Sequence, residues 1–306
     1  PPGVRFWNID LADARATRHA VSQEDWDVVF HFAALSSVSE SVERPFYYLG
    51  QNTINSLNLI EACTDHGVKR FVFSSTAALF NGENHCESIA DNAVIDPSSP
   101  YGDSKYFIER ALIWADRICG MRSACLRYFN AAGADPLGRL GEDHRSETHL
   151  IPLTIDAALG LRPMLKIFGN DYHTPDGTCV RDYVHVTDLA DAHIRVIDQL
   201  EHASVTYNLG NGRGFSNLEI LQSVERVSGR KVPWEWADRR PGDPAILVAD
   251  SSHIRQETGW NPQYQDIDSI VETALRWRER HPHGYDSEPL SGNENVMLMK
   301  HGVGTY

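Results

Sequence analysis

Tyr101 and Lys105 stand four residues apart in the segment Ser99-Pro100-Tyr101-Gly102-Asp103-Ser104-Lys105. Ser99 suits a helix N-cap and Pro100 the first helical position. Positions 101, 105, 108, 112 and 115 then share one helical face, occupied by Tyr, Lys, Ile, Leu and Ala. Ile108, Leu112 and Ala115 mark that face as the buried one. A lysine on it is anomalous, because burying an ammonium costs several kcal/mol unless something compensates it. The chemistry this pair could do is proton transfer. A free phenol titrates near 10 and is a poor base at neutral pH. A cation one turn away favours the phenolate, which could take a proton from a hydroxyl while a hydride leaves the same carbon. The plainer alternative is a lysine near a helix start that reaches back to water. Only five of the 28 basic residues are lysines, so a lysine at a special place is unusual in this chain.

Twenty-five residues before Tyr101 the run Phe73-Ser74-Ser75-Thr76-Ala77-Ala78 ends an apolar segment in three hydroxyls. Hydroxyls at a strand's C-terminal end can hydrogen-bond a reacting oxygen, although Ser and Thr are also ordinary turn residues. The elements that must position these groups can be read from the pattern. Val4 to Ile9, Asp27 to Ala33, Arg70 to Ser75 and Ser123 to Phe129 read as strands, and Pro45 to His66 and Pro100 to Ile118 as helices. Strands without polar alternation, separated by helices, indicate a parallel sheet covered on both faces. The second half is more irregular. Helices are expected at Thr187 to Leu200, Ser216 to Ser228 and Ile267 to Arg280. Short strands are expected at Met164 to Phe168, Thr206 to Leu209, Val232 to Trp236 and Ile246 to Val248. Ligands of an open parallel sheet bind beyond the C-terminal strand ends. This directs attention to Ala33 to Ser37, Ser74 to Thr76 and Asn130 to Gly133.

Bulk properties narrow the class. The 306 residues carry a formal net charge of -14, which argues against a nucleic-acid binder, since that needs a basic face. A few well-placed arginines can still hold a small diphosphate. No apolar run is long enough to span a membrane, and no signal peptide is visible. The five cysteines include no C-x-x-C pair, so neither a disulfide framework nor a zinc site is supported and no metal is expected. Reduced thiols and the absence of a leader point to a cytoplasmic location.

The motif Ser74-Ser75-Thr76 followed by Tyr101-Gly102-Asp103-Ser104-Lys105 resembles the extended short-chain dehydrogenase/reductase superfamily. Further segments narrow the resemblance: His31 to Leu35 (HFAAL), Arg127 to Gly133 (RYFNAAG), Phe168 to Val186 (FGNDYHTPDGTCVRDYVHV), Arg239 to Asp243 (RRPGD) and Trp277 to Tyr285 (WRERHPHGY). From about Val4 to Tyr285 the chain is similar to the UDP-glucose 4-epimerase family. That resemblance implies bound NAD, a UDP-sugar substrate and reversible epimerisation at C4 through a 4-keto intermediate, as in galactose metabolism. It implies that Tyr101 exchanges the proton of the sugar 4-hydroxyl and that Thr76 holds the 4-oxygen. Lys105 binds cofactor ribose and lowers the Tyr101 pKa, which the positive charge of the nicotinamide lowers further. Asp10 and Leu11 would lie against the adenine. Phe32, Ala33, Ala34, Leu35, Gln51 and Phe129 would line the rest of the cofactor. Asn130, Arg181 and Arg240 would hold the diphosphate and Asp243 the uridine ribose. His149, Leu150, Lys166, Ile167 and Phe168 would surround the nucleotide. Leu247 stands where some members carry a large aromatic beside the sugar 2-position, which implies room for UDP-N-acetylhexosamines. Related dehydratases place Asp-Glu after the threonine, whereas Ala77-Ala78 can do neither acid nor base work, so epimerisation is favoured over dehydration.

The implied fold is a Rossmann-like doubly wound parallel sheet with a smaller mixed α/β C-terminal substrate domain. Residues 1–130 would form the NAD-binding part, with about 176–214 returning to it. Residues 131–285 would bind the UDP-sugar, and Asp286 to Tyr306 would be a poorly ordered polar tail. A homodimer is a further expectation. The departures are also clear. The family opens with a strand, a Gly-rich turn and a helix whose amides hold the NAD pyrophosphate, and the resemblance begins only near the third strand. The first β-α-β unit is therefore expected to be missing, and the chain alone is expected to retain NAD poorly. Gly210-Asn211-Gly212-Arg213-Gly214 has the wrong spacing to replace it, and Ser216 with Glu219 reads as a capping box. Gln51 replaces a usual Asn, and Phe80 a usual Tyr. A UDP-N-acetylhexosamine or UDP-pentose 4-epimerase, or an inactive homologue serving as a scaffold, are the alternatives.

Overall fold

The computed structural model describes residues 3–81, 88–144, 146–240 and 242–287. In chain order the first elements are α1 (Ala14–Val21), β1 (Val29–His31), α2 (Val38–Glu43), α3 (Pro45–Asp65), β2 (Arg70–Thr76), α4 (Pro100–Cys119) and β3 (Arg122–Tyr128). There follow β4 (Asn130–Ala132), α5 (Leu150–Leu159), β5 (Leu165–Phe168), β6 (Val180–His185), α6 (Val186–Gln199), β7 (Val205–Leu209) and β8 (Gly214–Ser216). The last are α7 (Asn217–Ser228), β9 (Trp234–Ala237), β10 (Ile246–Leu247), α8 (Ser252–Thr258) and α9 (Ile267–Arg280).

The central sheet is parallel throughout, in the order β1-β2-β3-β7. Successive side chains of β2 face opposite ways. Phe71 and Phe73 pack with Ile60, Cys63, Ile108, Leu112 and Ala115, on the side covered by α3 and α4. Val72 joins Ala124, Leu126, Leu189, Val196 and Ile254, on the side covered by α6 and α8. Both faces are thus apolar, which is why β2 reads as a continuous hydrophobic run. This is the doubly wound α/β arrangement the sequence implies. A separate core gathers Ile151, Ile155, Ile167, Phe215, Ile220, Val224 and Ile270 from α5, β5, β8, α7 and α9. Beside it β6 pairs in parallel with β4 and β10 and antiparallel with β8, while β5 pairs with β9.

Most expected elements are present within a residue or two. Val4 to Ile9 is an exception and forms no strand. A strand exists by virtue of a ladder, and no described strand pairs with this segment, whose Val4 and Phe6 are exposed. The expected tail lies outside the described residues, except that Gly284–Ser287 forms one 3-10 turn. Among the described residues no helix is long and apolar enough to cross a membrane.

Candidate active site

A cavity of about 1450 Å³ opens beyond the C-terminal ends of β2 and β3. Helix α4 starts at its wall. Ser99 accepts a hydrogen bond from the Gly102 amide at 3.2 Å, and Pro100 opens the first turn. Gly102 is required by close approach, because a Cβ there would lie 2.3 Å from the Ala78 carbonyl oxygen. The helix start is thereby held against the turn that follows Thr76. Tyr101, Lys105, Ile108, Leu112 and Ala115 are all buried, so the lysine lies on the inner face and does not reach back to water.

Lys105 is 2% exposed. Its Nζ donates to the Ser74 carbonyl oxygen at 2.7 Å and lies 4.9 Å from the Phe73 ring centroid and 5.9 Å from that of Tyr101. An ammonium has three donors, and no other hydrogen bond of this one is seen among the described residues. Burial pulls its pKa down to about 7. The Thr76 side chain beside the Tyr101 phenol favours the phenolate, but burial outweighs it and raises the Tyr101 pKa. Desolvation thus sets the direction for both groups, and Lys105 is not among the causes that shift Tyr101. Thr76 Oγ1 also accepts from the Ala78 amide at 3.1 Å, which caps the turn. Tyr128 donates to Ser74 Oγ beside them.

Of the residues expected to contact cofactor, Phe32, Ala34, Thr76, Tyr101, Lys105 and Phe129 line the cavity. Asp10, Leu11, Ala33, Leu35 and Gln51 do not. Asp10 and Leu11 form a turn before α1, where Asp10 accepts from the Ala12 amide and the Leu11 carbonyl accepts from Asn58. Leu35 is fixed by the neighbour of Gln51. Asn52 Oδ1 accepts from the Leu35 amide at 2.8 Å, and its Nδ2 donates to the Leu35 carbonyl and to Ser104 Oγ, both at 3.0 Å. Sequence reasoning chose Gln51 and missed Asn52. The signal was available, since Tyr48, Asn52, Ser56 and Ile60 form the buried stripe of α3, and an amide on such a stripe needs a partner.

The same cavity is also lined by Asn130, His149, Leu150, Lys166, Phe168, Arg181, Arg240, Asp243 and Leu247. Ile167 points away into the second core. Arg181 Nη2 donates to Asp243 Oδ1 at 2.5 Å and Nη1 to the Val180 carbonyl at 2.8 Å. The Arg240 guanidinium stacks 4.0 Å above the Phe168 ring. Asn130 donates to the Asp182 carbonyl at 3.0 Å. His149 Nδ1 lies 2.7 Å from Glu142 Oε1 and 2.9 Å from Glu147 Oε1, and these hydrogen bonds raise its pKa to about 10. With His144 these groups bring possible metal-ligand atoms within 4.8 Å of one another. The contacts within this cluster are ion pairs of His144 and His149 with Glu142 and of His149 with Glu147.

The Gly210 to Gly214 loop holds no phosphate-like ligand by its own geometry. Asp182 already accepts from the Asn211 and Gly212 amides at 2.8 and 2.9 Å, the donors an anion would need. Ser216 and Glu219 form the expected capping box at its end.

Comparison with known proteins agrees with this arrangement. Residues 1–210 match the model of the NAD dependent epimerase/dehydratase family. The chain belongs to that family. Among epimerase/dehydratase relatives, a UDP-glucose 4-epimerase of Lacticaseibacillus casei is 46% identical, over 93% of this chain and 86% of its own. A crystal structure of a UDP-glucose 4-epimerase superposes with a TM-score of 0.89 at 44% identity, covering 93% of this chain and 87% of that one. The Bifidobacterium longum UDP-glucose 4-epimerase in complex with NAD+ and UDP has a TM-score of 0.87 at 36% identity, with 91% and 84% covered.

Proposed function

We propose that this protein catalyses the NAD-dependent, reversible epimerisation of a UDP-hexose at C4, interconverting UDP-glucose and UDP-galactose through a 4-keto sugar. One observation carries the reading: Thr76, Tyr101 and Lys105 line the same cavity as Arg181, Arg240 and Asp243. The first group suits proton exchange at a carbinol, and the second suits a nucleoside diphosphate, since guanidinium forks match phosphate oxygens. The residues also fit the cofactor. Lys105 is a buried ammonium with one hydrogen-bond acceptor, and ribose hydroxyls supply the acceptors it lacks. Phe32, Ala34 and Phe129 offer apolar walls for a ring. NAD, when bound, supplies the hydride acceptor and donor at C4. Thr76 then holds the sugar 4-oxygen, and Tyr101 takes its proton and returns it after the keto sugar has turned over. A charged Lys105, stabilised by ribose, favours the phenolate that this exchange needs. Arg181 leaves Asp243 for the diphosphate, which frees that carboxylate for a ribose hydroxyl. Residues 1–130 with about 176–214 serve NAD, and 131–285 serve the UDP-sugar. The test is conversion of UDP-galactose to UDP-glucose by the full-length, NAD-loaded protein, with no net NADH formed. No conversion would sink the reading.

Leu247 favours a second substrate class. It lines the cavity, half-buried, at the end of β10, and an aliphatic side chain leaves room that a large aromatic would fill. UDP-GlcNAc should turn over beside UDP-glucose, and Leu247→Tyr should depress the acetylated sugar about tenfold more, the discrimination one steric contact can give. Equal effects on both sugars would refute this.

The protein is further proposed to act as a cytoplasmic homodimer. Cys63 and Cys125 are unpaired buried thiols, which suits a reducing compartment. The outer stripes of α3 (Phe46, Ile54, Leu57) and α4 (Phe107, Trp114, Ile118) expose apolar side chains together, as an interface does. Sedimentation should give twice the monomer mass, and Trp114→Glu should return it to one. A wild-type monomer at micromolar concentration would exclude the dimer.

A further inference from the structure

Tyr101 and Thr76 come from different elements, a helix start and a strand end, so their chemistry depends on one fixed spacing between α4 and β2. We propose that Glu109 and Arg127, which do not line the cavity, form a buried clamp that sets this spacing, Glu109 being a positioning residue for the Tyr101–Thr76 pair. The proposal rests on the epimerase reading above.

Glu109 lies on α4, one turn beyond Lys105 and two beyond Tyr101. Arg127 lies on β3, directly across from Ser75 on β2, with Thr76 paired to Tyr128 next to it. The Arg127 guanidinium grips the carboxylate through both arms, Nε to Oε1 at 2.9 Å and Nη2 to Oε2 at 2.6 Å. Ser75 Oγ donates to the same Oε1 at 2.5 Å. The third arm, Nη1, donates to the Asp91 carbonyl at 3.0 Å. The two charged side chains are only 5% and 6% exposed. One carboxylate therefore joins α4, β2 and β3 within a residue of Thr76.

A buried ion pair is weak evidence for stability, because an apolar pair of equal volume commonly does as well. What it adds is direction. Two parallel N–H···O bonds and a hydroxyl fix a carboxylate in distance and angle, whereas packed methyl groups slide. Misplacement of reacting groups by about 1 Å can cost about a hundredfold in rate. The pair is also electrically neutral, so it brings no net charge toward the already depressed ammonium of Lys105.

The test uses full-length, NAD-loaded enzyme with UDP-galactose. The double variant Glu109→Leu/Arg127→Met keeps volume and neutrality. It should melt near the parent protein and bind UDP within about twofold, while kcat falls at least about tenfold and KM holds. The pH midpoint of kcat should also move, because the Tyr101–Thr76 contact changes; lost folded protein alone would not move it. Glu109→Asp keeps a charged carboxylate on α4 to pair with Arg127 and should recover part of the loss. If the double variant does not fold, Ser75→Ala removes only one strand-side bond and should still lower kcat severalfold at unchanged KM. A folded double variant with parental kcat, or a Ser75→Ala enzyme indistinguishable from the parent, overturns the clamp. An inactive parent overturns the epimerase reading instead.

Discussion

Replacing Tyr101 with Phe is expected to lower kcat by at least about 10²–10⁴-fold, the range that general acid–base catalysis supplies, while UDP affinity stays within about twofold. The separation follows from the layout. The phenol lines the cavity beside Thr76, whereas the charged groups suited to a nucleoside diphosphate are other side chains of the lining, Arg181, Arg240 and Asp243. Removing one oxygen leaves the ring packed on its buried stripe and touches none of the arginines. Calorimetric titration with UDP beside steady-state turnover of UDP-galactose separates the two quantities. Residual activity within tenfold of the parent would show that another group carries the proton.

Lys105→Met is expected to stabilise the NAD-free protein at low pH and to disable it at every pH. The unfolded lysine titrates near 10.5 and the folded one near about 7. Below 7 both states hold the proton, and folding carries the full cost of burying an ammonium. Between 7 and 10.5 the unfolded state binds the proton and the folded state does not, so stability rises with pH. Above 10.5 neither is charged and the cost is gone. The difference of about 3.5 pH units (10.5 minus about 7), at about 1.36 kcal/mol each, sets the low-pH gain near ~5 kcal/mol. Thermal melts of the stripped parent and variant at pH 6 and pH 10 should therefore diverge at pH 6 and converge at pH 10. Activity moves the other way, since the variant loses the cation beside Tyr101 and the donor for ribose. A lower melting point for the variant at pH 6 would mean that the ammonium is already compensated in the free protein.

The elements that position Tyr101 and Lys105 were legible because their signals are local. Ser99 and Pro100 mark the start of α4, and a 4-3-4-3 apolar stripe marks its inner face. Ser216 and Glu219 mark α7 in the same way. What stayed hidden depends on distant partners. Strand β6 carries Arg181 and Asp182 in its middle, a pattern that reads as loop. Its polarity is satisfied by Asp243 and by the Asn211, Gly212 and Ala249 amides, all remote in sequence. Helix α5 was masked by Pro152, which is tolerated because it lies within the first turn. Val4 to Ile9 has the composition of a strand but no described neighbour to complete a ladder. At the site, the base, its lysine and the strand-end threonine could be picked out by type and spacing. Asn52 showed only as an amide on a buried stripe, and the Glu109–Arg127 pair showed no local pattern, because their partners lie on other elements. Spacing reports proximity, while burial set the direction of both shifts.

Asn52 holds Leu35 from α3 and reaches Ser104 on α4, so the two helices share one joint. Both are also rods with two working sides. The inward side of α4 carries Tyr101 and Lys105, and the outward side carries Phe107, Trp114 and Ile118. A helix with its side chains is about 10 Å across, so a partner seated on the outer stripe would lie one helix diameter from the face that carries Tyr101 and Lys105.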